Sequence, residues 1–165
     1  QLLRRLHEKP VQASGLTRRC GVAMALAYLE RLPDDVLPVS RSRIRERLGP
    51  PTSDGDRLVH CDIIPENLIR GPAGLSLIDW EYGGVGIPEI DLASVIANAD
   101  LDDAEASAFL AVYGSYETLR VEQQRIALVV REALWCLIQM RHADAAGDLV
   151  SYTRTCIERM SKEFS

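Results

Sequence analysis

No apolar run in the sequence approaches the roughly 18 residues that a membrane-spanning helix requires, so no span is expected. A basic excess is missing too: 19 Lys and Arg stand against 24 Asp and Glu, for a net charge of −5. Nucleic acid needs a basic surface to neutralise its phosphates and is disfavoured as a main partner. Aromatic residues make up only 5%, too few for a base-stacking platform. The start, Gln1-Leu2-Leu3-Arg4-Arg5, lacks an initiating Met and is too short and too charged for a secretory signal. Its Leu2, Leu3 and Leu6 have helical spacing, as if cut from inside a longer polypeptide. No C-x-x-C pair occurs among Cys20, Cys61, Cys136 and Cys156, and His7, His60 and His142 lie at no zinc-like spacing from them. The expectation is buried free thiols in a reducing, cytoplasmic compartment. There is no internal repeat, no G-x-G-x-x-G after a strand and no Walker A motif. Lysine is nearly absent: Lys9 and Lys162 stand near opposite ends and neither lies on a strand.

What is present is a chain of 165 residues, 47% hydrophobic and 26% charged, the balance of a single globular domain over 1–165. Residues 1–9 read as a helix ending at Pro10. Residues 17–32 read as a second helix with Thr17 as N-cap, because Val22, Leu26 and Leu29 follow i, i+4, i+7. Residues 40–48 read as a short charged helix before the Gly49-Pro50-Pro51 break. Three short β pieces follow at 57–60, 67–70 and 75–78, the last two joined by Gly71-Pro72-Ala73-Gly74 as a hairpin turn. Gly83-Gly84-Val85-Gly86 reads as a flexible turn. Helices are predicted at 89–98, at 102–116 with an Asp102/Glu105 capping box, at 121–145 with Gly147 as its C′ residue, and at 148–163. The fold class is α+β and mostly helical, with a small β patch.

The chemistry concentrates between Leu58 and Ala93. Asp62 follows the first β piece, Asn67 opens the second, Asp79 ends the third, and Glu81 comes two residues later. The hairpin brackets Asn67 and Asp79 and brings them close. A carboxylate and an amide oxygen side by side are hard ligands suited to Mg²⁺. Asp62 faces the same space and is left to orient or deprotonate an attacking hydroxyl. One base, two metal ligands and no covalent nucleophile are the parts of a phosphoryl-transfer site.

His60-Cys61-Asp62-Ile63-Ile64-Pro65-Glu66-Asn67 resembles the H-x-D-x-x-x-x-N catalytic loop of protein-kinase-like enzymes. Ile78-Asp79-Trp80-Glu81 stands where those have D-F-G, and its D-W-E form resembles the aminoglycoside phosphotransferase and choline kinase superfamily. Asp91-Leu92-Ala93 after a Gly-rich loop is similar to the same superfamily. The resemblance implies a protein-kinase-like C-terminal lobe whose β-hairpin patch carries the catalytic loops. It implies Asp62 as catalytic base, Asn67 and Asp79 as Mg²⁺ ligands, and ATP as phosphoryl donor. His60 and Asp91 would support the catalytic loop, and Glu81 would contact the acceptor or a second metal. Cys61 and Trp80 would pack.

Glu81-Tyr82-Gly83-Gly84 extends the motif as choline/ethanolamine kinases and bacterial thiamine kinases do, and Trp135-Cys136-Leu137-Ile138-Gln139 resembles a Trp and Ile-Gln pattern of choline kinases. A quaternary ammonium is held by aromatic faces and carboxylates. Tyr82 and Trp135 offer the faces and Glu81 the charge, against Trp135 being a core residue of its apolar helix stripe. The implied acceptor is a small amino alcohol such as choline or ethanolamine. The alternatives are thiamine, an aminoglycoside or another hydroxylated metabolite, and, from a different class, a non-catalytic kinase-like binding lobe. With no nucleotide-covering loop or strand Lys, the resemblance implies that the N-terminal nucleotide-binding lobe is missing and that this lobe alone is inactive or very weak.

Overall fold

The computed structural model describes residues 1–11, 15–52, 54–72, 74–142 and 147–165. In chain order the elements are α1 (Leu2–Leu6), α2 (Gly21–Leu29), α3 (Arg41–Leu48), β1 (Arg57–Val59), β2 (Leu68–Gly71), β3 (Gly74–Leu77), β4 (Gly84–Gly86), α4 (Glu89–Asn98), α5 (Asp103–Tyr113), α6 (Thr118–His142) and α7 (Gly147–Lys162). Single 3₁₀ turns occupy Asp34–Val36 and Pro65–Asn67. The fold is mostly helical with two small antiparallel sheets, the α+β class expected. No helix among the described residues is long and apolar enough to cross a membrane. Two compact units form: Gln1–Cys20 with Thr52–Arg125, and Gly21–Pro51 with Ile126–Ser165.

In the first unit, β2 and β3 pair antiparallel with Leu68 opposite Leu77 and Gly71 opposite Gly74. The expected hairpin is therefore present, although Ala73 of its turn lies outside the described residues. β1 pairs antiparallel with β4, Leu58 opposite Val85. This corrects the reading of Gly83–Gly86 as a flexible turn: Gly84, Val85 and Gly86 form a buried strand. The glycines are needed there by close approach. A β-carbon on Gly84 would lie 2.3 Å from the Thr17 carbonyl oxygen, and one on Gly86 2.7 Å from that of Arg19. That approaching backbone also corrects the start of the second helix. Val85 N–H donates to Thr17 O at 2.9 Å and Arg19 N–H to Val85 O at 2.8 Å. Residues 17–19 are thus extended beside β4, their backbone groups are spent there, and α2 begins only at Gly21. Beyond the strands, Leu3, Ile63, Leu92, Ile96 and Val121 make the core, with Leu68, Leu77, Phe109 and Leu110 packed against it. α5 starts with the expected capping box: Asp102 Oδ1 accepts from Ala104 and Glu105 N–H, and Glu105 accepts from Asp102 N–H.

In the second unit, Val22, Ala25 and Leu29 of α2, Ile44 and Leu48 of α3, and Met160 of α7 are buried at i, i+3, i+4 type spacings. Arg41, in the first turn of α3, donates to Leu29 O at 2.8 Å and Leu32 O at 2.6 Å and pairs with Asp34 at 2.7 Å. It satisfies carbonyls that the end of α2 leaves open. The long helix begins at Thr118, earlier than expected, and ends at His142. Ala145 lies outside the described residues, and Gly147 opens α7 instead of following the helix before it.

Candidate active site

The segment after β1 is anchored by α4. Asp91 is wholly buried, and its carboxylate accepts N–H bonds from His60 at 3.0 Å and Cys61 at 2.8 Å. It also accepts from His7 Nε2 at 3.0 Å. With Nε2 donating, His7 Nδ1 accepts the Tyr113 hydroxyl at 3.0 Å. Burial, with the nearby Glu89 and Asp91 carboxylates, pushes the Tyr113 hydroxyl above its usual range, so it stays a donor. One turn along α4, Ser94 Oγ accepts from Ile63 N–H at 2.8 Å, and Asn98 Nδ2 donates to Ile63 O at 3.0 Å. Asp91, Ser94 and Asn98 fall at i, i+3, i+7, so one helix face grips residues 60–63.

That grip holds Cys61 at φ 65°, a left-handed conformation unfavourable for a residue with a side chain. The chain turns there and brings Asp62 out to a partly exposed position. Asn67, buried in the 3₁₀ turn, donates through Nδ2 to Asp62 O at 2.9 Å and to Asp62 Oδ2 at 3.3 Å. Its nitrogen is committed to Asp62, so its amide oxygen is the end available to a cation.

The hairpin returns the chain to the same place. Ile78 N–H donates to Asn67 O at 3.0 Å, and Asp79 is the next residue, exposed and left-handed at φ 59°. His60 is wholly buried and joins the two loops, its Nε2 bonding to Ile78 O at 2.8 Å. With Nε2 donating, Nδ1 carries no proton, and it is a buried atom without a partner. Trp80 packs edge-on against the His60 ring at 4.7 Å and donates to Leu77 O. Arg19 ties down the loop that follows, reaching Gly83 O and Glu81 O at 3.2 Å each.

Asp62 and Asn67 are in direct contact, and Asp79 is one residue from the backbone bond that binds the hairpin to Asn67. Glu81 is exposed and Tyr82 partly buried on the loop after Asp79. Trp135 lies in the second unit, partly exposed on α6. His7, Tyr113 and Arg19 carry no local sequence signal, because their partners are 106, 84, 64 and 62 residues away. Ser94 and Asn98 were detectable, since their spacing from Asp91 marks one helix face. The Asn67 amide oxygen and the Asp79 carboxylate are a hard, oxygen-only donor pair, a fit for Mg²⁺ rather than a soft metal.

Known proteins resemble this chain in sequence and in fold. The model of the phosphotransferase enzyme family (APH) matches residues 1–124. The LicA protein of Haemophilus influenzae is 30% identical over 103 residues, which cover 56% of this chain and 39% of that protein. The crystal structure of choline kinase LicA from Streptococcus pneumoniae superposes with a TM-score of 0.72 at 20% identity, over 98% of this chain and 61% of that one. A choline/ethanolamine kinase family protein from Mesorhizobium loti gives 0.74 at 22% identity, over 99% and 58%. At these identities the two structures speak for a shared fold. This chain spans less than two thirds of each of the three.

Proposed function

This chain belongs to the phosphotransferase enzyme family, and from that premise we propose that it is the catalytic and acceptor-binding lobe of an ATP-dependent small-molecule kinase. The acceptor is the hydroxyl of a small amino alcohol, choline or ethanolamine first. The observation that carries the proposal is the meeting of Asp62 and Asn67 beside the backbone bond that leads into Asp79, braced from beneath by Asp91.

In this reading the Asn67 amide fixes the rotation of the Asp62 carboxylate. Asp62 accepts the acceptor hydroxyl's proton as its oxygen bonds to the γ-phosphorus and the bond to the leaving ADP oxygen breaks. Asn67 Oδ1 and the Asp79 carboxylate would hold Mg²⁺, which would neutralise charge on the phosphates. His60 and Asp91 position these loops without touching the reacting atoms. Glu81 and Tyr82 receive the acceptor's cationic end, and Trp135 is assigned as an acceptor contact from the family resemblance. The strand Lys and covering loop for ATP are assigned to a second lobe outside these 165 residues. A cytoplasmic location goes with this reading, since ATP and the four free thiols belong there.

The test uses the full-length polypeptide, with ADP release measured against choline, ethanolamine, thiamine and an aminoglycoside. Turnover with an amino alcohol is expected, and Asp62→Asn should lower kcat about 10²–10⁴-fold. An Asp62→Asn enzyme that turns over like the parent would remove the base from the mechanism. A preference for another compound in the panel would replace the acceptor and leave the phosphotransferase reading in place.

A further inference from the structure

The second unit contains a cluster that phosphoryl transfer does not use. Glu132 and Cys136 stand four residues apart on α6, the spacing that puts two side chains on one helix face. Cys156 reaches them from α7. One carboxylate oxygen and the two Sγ atoms all lie within 4.8 Å of one another, a grouping found once among the described residues. Cys136 is 0% exposed and Cys156 3%, while Glu132 is partly exposed and leaves a way in. The sequence contains no C-x-x-C because the two sulfurs come from different helices.

The surroundings suit thiolate chemistry. A hydrogen bond from the Cys136 thiol, helped by the charge of Arg159, pulls the Cys156 thiol below its usual range against burial and the charge of Glu132. The same hydrogen bond and burial push the Cys136 thiol up. Tyr152 Oη–H donates to Glu132 Oε1 at 2.9 Å and so orients the carboxylate. A carboxylate turned by an outer hydrogen bond is the usual support of a metal ligand.

We propose that Glu132, Cys136 and Cys156 form a binding site for one thiophilic divalent cation, zinc, that fastens α6 to α7. Two sulfur ligands select zinc over Mg²⁺, so this site and the hard oxygen set around Asp62 would not compete for the same ion. Tetrahedral zinc with bonds of about 2.3 Å places two sulfurs about 3.8 Å apart, within reach of the observed spacing. Binding displaces the protons of both thiols to solvent, and water takes the fourth position. Nothing is oxidised. All three ligands lie beyond residue 124, where the family match ends.

The test is titration of the reduced, metal-free full-length protein with Co²⁺ as the probe. One Co²⁺ per chain should bind with thiolate-to-cobalt charge-transfer absorption, and zinc should displace it. Cys136→Ser and Cys156→Ser should each abolish that absorption. Glu132→Gln and Tyr152→Phe should keep it and weaken binding about 10–100-fold. Asp79→Ala should leave it intact, which separates this site from the catalytic metal. Zinc should raise the unfolding midpoint of the parent protein and not of Cys156→Ser. No charge-transfer band in the reduced protein overturns the site, as does a band that survives Cys156→Ser. A Cys136–Cys156 disulfide whose reduction restores no metal uptake overturns it too.

Discussion

Removing the Asp91 carboxylate would leave three buried N–H donors without an acceptor: the His60 and Cys61 amides and His7 Nε2. Asp91→Ala should therefore cost about 3–5 kcal/mol in urea unfolding, since each buried donor left unsatisfied costs about 1–3 kcal/mol. It should also lower kcat, because the left-handed turn at Cys61 is held against about 1–3 kcal/mol of backbone strain. A loss of stability below about 1 kcal/mol would mean that Asp91 does not brace the loop. Tyr113 at the far end of this chain of bonds makes a pH prediction. Its folded pKa is raised from 10.0 by burial and by Glu89 and Asp91. The unfolded chain therefore loses its proton first, and the native state holds more protons above pH 10. Stability from this group is complete below that pH and declines as pH rises through the folded value. Tyr113→Phe should make the unfolding free energy fall less steeply on the alkaline side. An unchanged alkaline slope would sink the argument.

The elements differ in how much their sequence disclosed, and the difference follows from where each gets its partners. α5 is local: Asp102 and Glu105 satisfy each other's backbone within one turn. Asp102→Ala should cost about 1 kcal/mol, read by chemical denaturation. The β2–β3 hairpin is local too, and it was legible together with Asn67 and Asp79 at its ends. β4 was not legible. Gly84-Val85-Gly86 has no alternation of apolar and polar residues, and its partners β1 and residues 17–19 come from distant parts of the chain. The same contact concealed the true start of α2, because the 3.6-residue period of Val22, Leu26 and Leu29 says nothing about the residues before it. A side chain on Gly84 meets the backbone of Thr17, which cannot move aside as a flexible side chain can. Gly84→Ala should thus displace residues 17–19 and loosen Arg19 from the Glu81–Gly83 loop. Amide exchange of that loop should quicken, and wild-type protection in the variant would count against the coupling.

At the scale of the whole molecule, the residues assigned to the base and the metal all lie in the first unit and inside the family match, residues 1–124. Trp135 lies in the second unit and beyond that match. This division predicts different kinetic signatures for the two sets. On the proposed mechanism, which puts Asp62 and Asp79 at the reacting atoms, substitution at either should lower kcat. Trp135→Ala should raise the acceptor KM with little change in kcat, because a face that holds the trimethylammonium end binds ground and transition states alike. A cation–π contact of about 0.5–2 kcal/mol corresponds to roughly a 2–30-fold rise in KM. The rise should be larger for choline than for ethanolamine, whose ammonium keeps three hydrogen-bond donors and depends less on an aromatic face. Full-length enzyme assayed with both acceptors at fixed Mg²⁺ and ATP gives the answer. An unchanged KM for both acceptors would return Trp135 to the packing of α6 and leave acceptor recognition to Glu81, Tyr82 and residues outside this chain.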